Sequence, residues 1–201
     1  MTDPYFDTSM RKRYAAPFAD IHRVDLQQAL YQRAVELGVR FELGQRVDKL
    51  DLEAAEITTA AGIKGRADLV VAADGLRSRC RDVFVPGGDG PQATGDLAYR
   101  IVLRVDDIDD AELRRWVRDV SVHFWVGPGA HAVGYSLRGG LEYNIVLLAP
   151  DDLPDGVDRQ RGSVEQMKMR FKDWDPILGR FLGQVRGVDQ WKLQYRGCSE
   201  V

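Results

Sequence analysis

The chain has 201 residues, 44% of them hydrophobic, and carries 28 basic and 31 acidic side chains for a formal net charge of -3. That length buries the core of one large domain or two small ones, and the near-balanced charge offers no electrostatic footprint for nucleic acid or an anionic membrane surface. Its two cysteines, Cys80 and Cys198, are far apart and have no Cys or His at ligand spacing, so neither a disulfide framework nor a metal site is expected; a reducing cytoplasmic setting is. The apolar runs fall far short of a membrane span and the amino terminus is charged rather than signal-like, so no targeting or anchoring segment is expected.

Up to Ala19 the chain is polar and carries Pro4 and Pro17, which predicts a loop. Asp25 then reads as the cap of a helix with Leu26, Leu30, Ala34 and Leu37 on one face, ended by Gly38. Strands are expected over Val39 to Leu43, Arg46 to Leu52 and Glu56 to Thr59. The run Ala67 to Ala73, apolar except for Asp68, predicts a strand covered on both faces in an α/β sheet. A short helical stretch follows Asp74-Gly75, and the loop Val85-Pro86-Gly87-Gly88-Asp89-Gly90-Pro91 marks the best internal boundary.

Beyond that loop the pattern changes. Tyr99 to Val105, Ser121 to Val126, Ala132 to Leu137 and Tyr143 to Leu148 alternate like strands and are joined by Gly127-Pro128-Gly129 and Arg138-Gly139-Gly140, as in an antiparallel meander. Helices are expected from Asp109 to Val117, from the capping box Ser163-Val164-Glu165-Gln166 to about Phe171, and from Asp175-Pro176 onward. The organisation is therefore read as residues 1–92, 93–150 and 151–201: a helix with α/β-type strands, an antiparallel sheet, and helices beside that sheet.

Asp74-Gly75 falls at the carboxyl end of the apolar run, where open α/β sheets place ligands. Glycine lets a backbone come close to a ligand, and the carboxylate can accept from sugar hydroxyls; a plain Asp-Gly turn is the alternative. The wider pattern Ala73-Asp74-Gly75-x-x-Ser78-x-x-Arg81 resembles the second flavin motif of the group A aromatic hydroxylases, the family of salicylate and para-hydroxybenzoate hydroxylases, and His22-Arg23-x-Asp25-Leu26 resembles that family's helix-opening segment. The resemblance implies part of a Rossmann-like FAD-binding domain plus an antiparallel substrate sheet, with FAD and NAD(P)H as cofactors and a small aromatic acid or phenol as substrate. It implies that Arg23 contacts FAD, that Asp74 and Gly75 lie beside its ribityl-pyrophosphate portion, and that Val47 presents its backbone to the adenine. An arginine suits pyrophosphate because its planar fork donates two parallel charge-assisted bonds; a surface ion pair is the alternative for Arg23.

The resemblance continues through Thr94-Gly95-Asp96-Leu97-Ala98-Tyr99-Arg100 and Trp125-x-Gly127-Pro128-x-x-His131-x-x-x-Tyr135 to Trp191-Lys192-Leu193. On a strand, residues four apart share a face, so His131 and Tyr135 can meet one ring. Histidine titrates near neutrality and suits removal of a phenolic proton, and the Tyr135 phenol suits a carboxylate or hydroxyl. Both are the candidate catalytic and substrate-binding residues, with Arg100 as a pocket cation or a buried structural partner and His123 a weaker candidate. Solvation of His131 and ordinary sheet packing of Tyr135 are the alternatives.

No Gly-x-Gly-x-x-Gly turn between strand and helix is present to seat a pyrophosphate on amide donors, and the family's third motif would fall after Val201. The expectation is that this stretch alone binds FAD weakly or not at all, and that uncovered strand edges favour a homo-oligomer. The readings left open are a flavin monooxygenase segment, a related FAD oxidoreductase with a non-aromatic substrate, and a non-catalytic fragment.

Overall fold

The computed structural model describes residues 3–197, so Cys198 lies outside the described residues. The chain divides into two compact units: residues up to Tyr31 together with Asp96–Lys192, and Gln32–Gly95 together with the residues from Leu193 on.

In the first unit, the expected loop before Ala19 contains a helix, α1 (Phe6–Tyr14). Its support is local: Asp7 and Arg11 pair at i,i+4, Phe6 packs edge-on against Phe18, and no residue of α1 is buried. Helix α2 (Arg23–Glu36) begins two residues before the expected start, so Asp25 sits in its first turn rather than capping it. The Nδ1 of His22 accepts from the Val24 amide, and the Asp25 carboxylate is drawn into a pair with a distant arginine. Gly38 ends the helix at φ +86°, the left-handed conformation glycine reaches at no steric cost.

A six-stranded sheet forms the body of this unit. Its strands are β4 (Gln92–Arg104), β5 (Val122–Gly127), β6 (Ala130–Leu137), β7 (Glu142–Pro150), β8 (Arg159–Gly162) and β9 (Val188–Tyr195), in the order β5-β6-β7-β4-β9-β8. The alternation read in the sequence is the pleat itself. Tyr99, Ile101 and Leu103 on β4 face the same side as Leu147, Ile145 and Tyr143 on β7 and as Ala132, Gly134 and Ser136 on β6. Three helices cover that side: α4 (Ala111–Arg118), α5 (Val164–Arg170) and α6 (Pro176–Gly183). Their amino ends are capped by the side chains of Asp110, Ser163 and Asp175. Leu113, Val117, Met167, Phe171, Leu178, Phe181 and Leu182 close onto the strands, and the whole buried hydrophobic cluster lies between Leu97 and Val188.

The second unit is built differently. Strands β1 (Val47–Asp51), β2 (Glu56–Thr59) and β3 (Lys64–Arg66) form a small antiparallel sheet, followed by the short helix α3 (Arg79–Phe84). Two expectations fail here. Residues 39–43 and 67–73 are not strands, and Leu69 and Val71 are each 76% exposed. A run apolar on both faces becomes a buried strand only when neighbouring strands and covering helices are present, and among the described residues none pairs with 67–73. The only residues of this unit buried as a whole, among the described residues, are Thr59 and Ser78.

Candidate functional site

Two regions hold the residues singled out by the sequence, one in each unit.

In the second unit, Asp74 leads from the extended 67–73 segment into α3. Gly75 takes φ +78°, and a Cβ placed on it would have nothing within 4 Å, so open space lies over the turn. The Asp74 carboxylate accepts from the Ser78 hydroxyl at 2.5 Å and from the amides of Arg79 and Cys80 at 2.9 and 3.2 Å. Ser78 in turn accepts from the Arg81 amide at 2.9 Å. Those donors, the Ser78 hydroxyl first and the Cys80 amide next, hold the Asp74 carboxyl down to about 2. The motif's Asp and Ser thus first build the turn and the helix start. An open cleft of about 500 Å³ runs along this turn, lined by Val70, Val71, Asp74, Gly75, Ser78 and Arg81 among others. Val47 opens β1 opposite Thr59, half-buried.

Arg196, to which the sequence reading assigned no role, ties this turn together. Its side chain is 8% exposed, and its guanidinium pairs with Asp82 and donates to the carbonyls of Ser78 and Asp89. An isolated arginine after a tyrosine gives no spacing signal, which is why it went unremarked.

In the first unit, Arg23 stands exposed in the first turn of α2, and among the described residues it makes no ion pair. Its neighbour Asp25 does: the carboxylate takes two hydrogen bonds from Arg138, at 2.7 and 2.8 Å. Arg138 holds φ +51° in the β6–β7 turn and also pairs with Glu142. The surface ion pair weighed for the arginine of this segment therefore belongs to its aspartate.

Arg100, His131 and Tyr135 share the side of the six-stranded sheet opposite the helices. Register fixes this face as three rungs: Val126, His131, Leu148 and Ala98; then Phe124, Val133, Val146 and Arg100; then Val122, Tyr135, Asn144 and Val102. His131 and Arg100 are exposed and Tyr135 is half-buried. Arg100 has no acidic partner among the described residues, and its guanidinium lies 5.6 Å from the ring centre of Trp191, which Arg159 flanks at 4.2 Å. Burial, then the charge of Asp20, pushes the Tyr135 phenol up, so it stays protonated at neutral pH. The Asp20 carboxyl is itself raised by burial. Asn144 lies beside Tyr135 with its side-chain nitrogen buried, and its amide acts on the Tyr135 phenol in the sense that opposes the rise of that pKa. Neither Asp20 nor Asn144 was singled out from sequence, because a single Asp or Asn has no periodic signature.

His123 faces the helix-covered side. Its ring lies 4.4 Å from Trp116, its Nδ1 is 3.1 Å from the Tyr143 hydroxyl, and burial lowers its pKa. It is a packing residue of the core's edge, on the other side of the sheet from His131.

Solved structures sharing this arrangement are flavoprotein hydroxylases. A salicylate hydroxylase–substrate complex matches with a TM-score of 0.67 and 20% identity, covering 86% of this chain and 46% of that one. HpxO of Klebsiella pneumoniae, complexed with FAD and uric acid, matches with a TM-score of 0.68 and 16% identity over 93% of this chain and 46% of that one. The fold is thus the mixed fold of the FAD-binding hydroxylases. No protein-family model matches the sequence. Full-sequence relatives do: the FAD-dependent monooxygenase OpS4 of Beauveria bassiana is 48% identical over 194 residues, 94% of this chain and 45% of the relative. The 3-hydroxybenzoate 6-hydroxylases of Polaromonas naphthalenivorans and Aquipseudomonas alcaligenes are 34% and 32% identical, over 91% and 88% of this chain and 45% and 54% of theirs. The chain's homologues are FAD-dependent monooxygenases, 3-hydroxybenzoate hydroxylases among them, and it spans about half the length of the curated relatives it matches.

Proposed function

We propose that this chain supplies the substrate face, and part of the flavin contact, of an FAD-dependent and NAD(P)H-using monooxygenase that hydroxylates an aromatic acid or phenol. The observation that carries the reading is the grouping of Arg100, His131 and Tyr135 on the side of the six-stranded sheet opposite helices α4 to α6. Arg100 lies two strands from His131 and Tyr135 across Val146 and Val133, roughly 10 Å at ~4.8 Å per strand, and all three side chains are long enough to reach inward over those valines. A ring resting on Val133 and Val146 then has a guanidinium at one end for a carboxylate and a phenol and an imidazole at the other.

The roles follow from the groups. Arg100, unpaired and braced by Trp191, binds the carboxylate. Tyr135, kept protonated, donates to the ring oxygen. His131 accepts the phenolic proton, which raises the electron density of the ring carbon that is to be oxidised. FAD fits the second unit in one respect, the open space over Gly75 and the cleft beside it, and Val47, Asp74 and Gly75 are the residues of that unit that would hold it. When bound and reduced by NAD(P)H, it supplies the chemistry by which one atom of O₂ enters the ring and the other leaves as water.

The test is a titration of the 201-residue chain with 3-hydroxybenzoate, followed by the fluorescence of Trp191, with a Trp191→Phe control to assign the signal. Saturable quenching that Arg100→Ala weakens tenfold or more supports the reading; this corresponds to the ~1.5–3 kcal/mol of a hydrogen bond to a charged group. No saturable binding, or binding indifferent to Arg100, overturns it.

A further inference from the structure

Among the described residues the two sheets end in four outer strands, and three of these carry charge. In the three-stranded sheet, β1 holds Asp48, Lys49 and Asp51, and β3 holds Lys64 and Arg66. In the six-stranded sheet, β8 is four residues long and holds Arg159 and Arg161, with Asp189 of β9 as the one acid that pairs with both. Shortness and charge are ordinary means by which an outer strand avoids pairing with another chain. Strand β5, Val122-His123-Phe124-Trp125-Val126-Gly127, has neither lysine nor arginine, no acid and no proline. Its ladder to β6 runs without a bulge from Val122 opposite Tyr135 to Gly127 opposite Ala130, and β6 is its only neighbour among the described strands. The far edge of β5 therefore presents unpaired backbone donors and acceptors. Beside that edge, on the side of the sheet opposite α4 to α6, Phe124 and Val126 are 69% and 84% exposed.

We propose that β5 is an interface between two copies of this chain: β5 pairs with β5 of the second copy, antiparallel, about a two-fold axis at Phe124, and joins the two six-stranded sheets edge to edge. The strand's own sequence selects this occupant. With the axis at Phe124, the two Phe124 rings meet, Val122 meets Val126 on either side of them, and His123 meets Trp125 on the other face of the sheet. Every such pair is aromatic or β-branched, and contacts of this kind contribute roughly 0.2–1 kcal/mol each. The same pairing at β8 would set Arg159 and Arg161 against their own copies, which like charges oppose. An axis one residue on would oppose two Trp125 rings that already pack against the core. A single strand edge lies at the small end of interface sizes, under about 1,200 Å², so the association is reversible and concentration-dependent. The axis stands perpendicular to the sheet, so both copies keep Arg100, His131 and Tyr135 on one common side. Val122 and Val126 are the cross-strand neighbours of Tyr135 and His131, so the second copy closes the β5 end of that row. The interface itself does not depend on what that row binds.

The experiment has two arms on the 201-residue chain. Sedimentation equilibrium at pH 7.5, from micromolar to several hundred micromolar, compares the wild type with Phe124→Lys. In parallel, Phe124→Cys and Val126→Cys, each in a Cys80→Ser, Cys198→Ser background, are oxidised and resolved without reductant. All of the altered strand positions are exposed, so the core is left intact. The expected result is a dimer whose dissociation constant Phe124→Lys raises at least tenfold, because two ammonium groups then face each other at the axis. Phe124→Cys should give a disulfide-linked dimer, since directly opposed Cα atoms lie about 4.5–5.5 Å apart, within disulfide reach. Val126→Cys should not, since its two copies stand four residues out of register, roughly 14 Å apart at about 3.4 Å per residue. A chain that stays monomeric throughout overturns the proposal, as does cross-linking at Val126 equal to that at Phe124. Association that Phe124→Lys leaves unchanged also overturns it and assigns the contact to the exposed apolar groups elsewhere in the chain.

Discussion

Asp74 shows how one carboxylate can serve a turn before it serves a ligand. Three donors from Ser78, Arg79 and Cys80 converge on it, and they keep it ionised down to about pH 2. The start of α3 is therefore insensitive to pH across the range in which enzymes work. Replacing Asp74 with alanine removes the acceptor, and the amides of Arg79 and Cys80 should exchange with solvent markedly faster; unchanged exchange would show that Ser78 alone holds the turn. His123 behaves in the opposite way. Burial between Trp116 and the Tyr143 hydroxyl lowers its pKa below the usual histidine value, so the unfolded chain binds its proton before the folded one does. Its contribution is present above pH about 6.5 and is lost as pH falls below that. The aspartates whose pKa values are lowered, Asp25, Asp74 and Asp110, act only at more acidic pH. A melting temperature that drops between pH 7.5 and 5.5, and drops less in His123→Gln, is the expected result; equal slopes would remove His123 from the acid response.

Among the elements, β6 carries the tightest packing constraint. A Cβ at Gly134 would strike the hydroxyl of Tyr143, with Cζ and Cε1 at 2.8 and 3.0 Å, and Tyr143 is fully buried and stacked on Phe181. Gly134→Ala should cost roughly 1–3 kcal/mol, the usual effect of overpacking. The cost should shrink in a Tyr143→Phe background, where the nearest atom is gone; an additive double mutant in chemical denaturation would place the strain elsewhere. Strands β4 to β7 were legible because one face of each packs on helices, so apolar and polar positions alternate. The capped helices α4 to α6 were legible for the same local reason, an Asp or Ser ahead of an apolar stripe. Strand β8 was not, since Arg159, Gln160 and Arg161 give no alternation, and it forms only because β9 offers an edge. The 67–73 run misled in the other direction: its apolar side chains encode a covered strand, but covering is a tertiary fact. The site followed the same division. Periodicity put His131 and Tyr135 on one face, whereas Asn144 and Asp20 joined it through cross-strand and loop contacts with no sequence period.

At the scale of the whole chain, apolar burial is distributed very unevenly. Every buried hydrophobic residue among those described lies between Leu97 and Val188, although the preceding part of the chain is rich in apolar side chains. Leu30, Leu37, Leu43, Leu69 and Val71 are each more than 60% exposed, and they include two residues, Leu30 and Leu37, of the apolar face that the sequence assigns to the helix from Asp25 to Gly38. Burial is what holds elements together against the roughly 1–2 kcal/mol of backbone entropy lost per ordered residue. A segment that withdraws few apolar side chains from water opens locally at little cost, while the six-stranded sheet and its helices open only with global unfolding. Hydrogen exchange on the 201-residue chain should therefore show two classes: slow amides in Leu97–Leu103 and Tyr143–Ala149, and fast ones through α2, β1 to β3 and the 67–73 segment. The exposed apolar groups also favour self-association, so sedimentation should show a concentration-dependent species larger than the 22.6 kDa monomer. If association is what covers α2 and 67–73, dilution to the monomer should accelerate exchange in those segments and leave Tyr143–Ala149 unchanged. Protection of 67–73 equal to that of β7 in the dilute monomer would mean that the run is a buried strand after all.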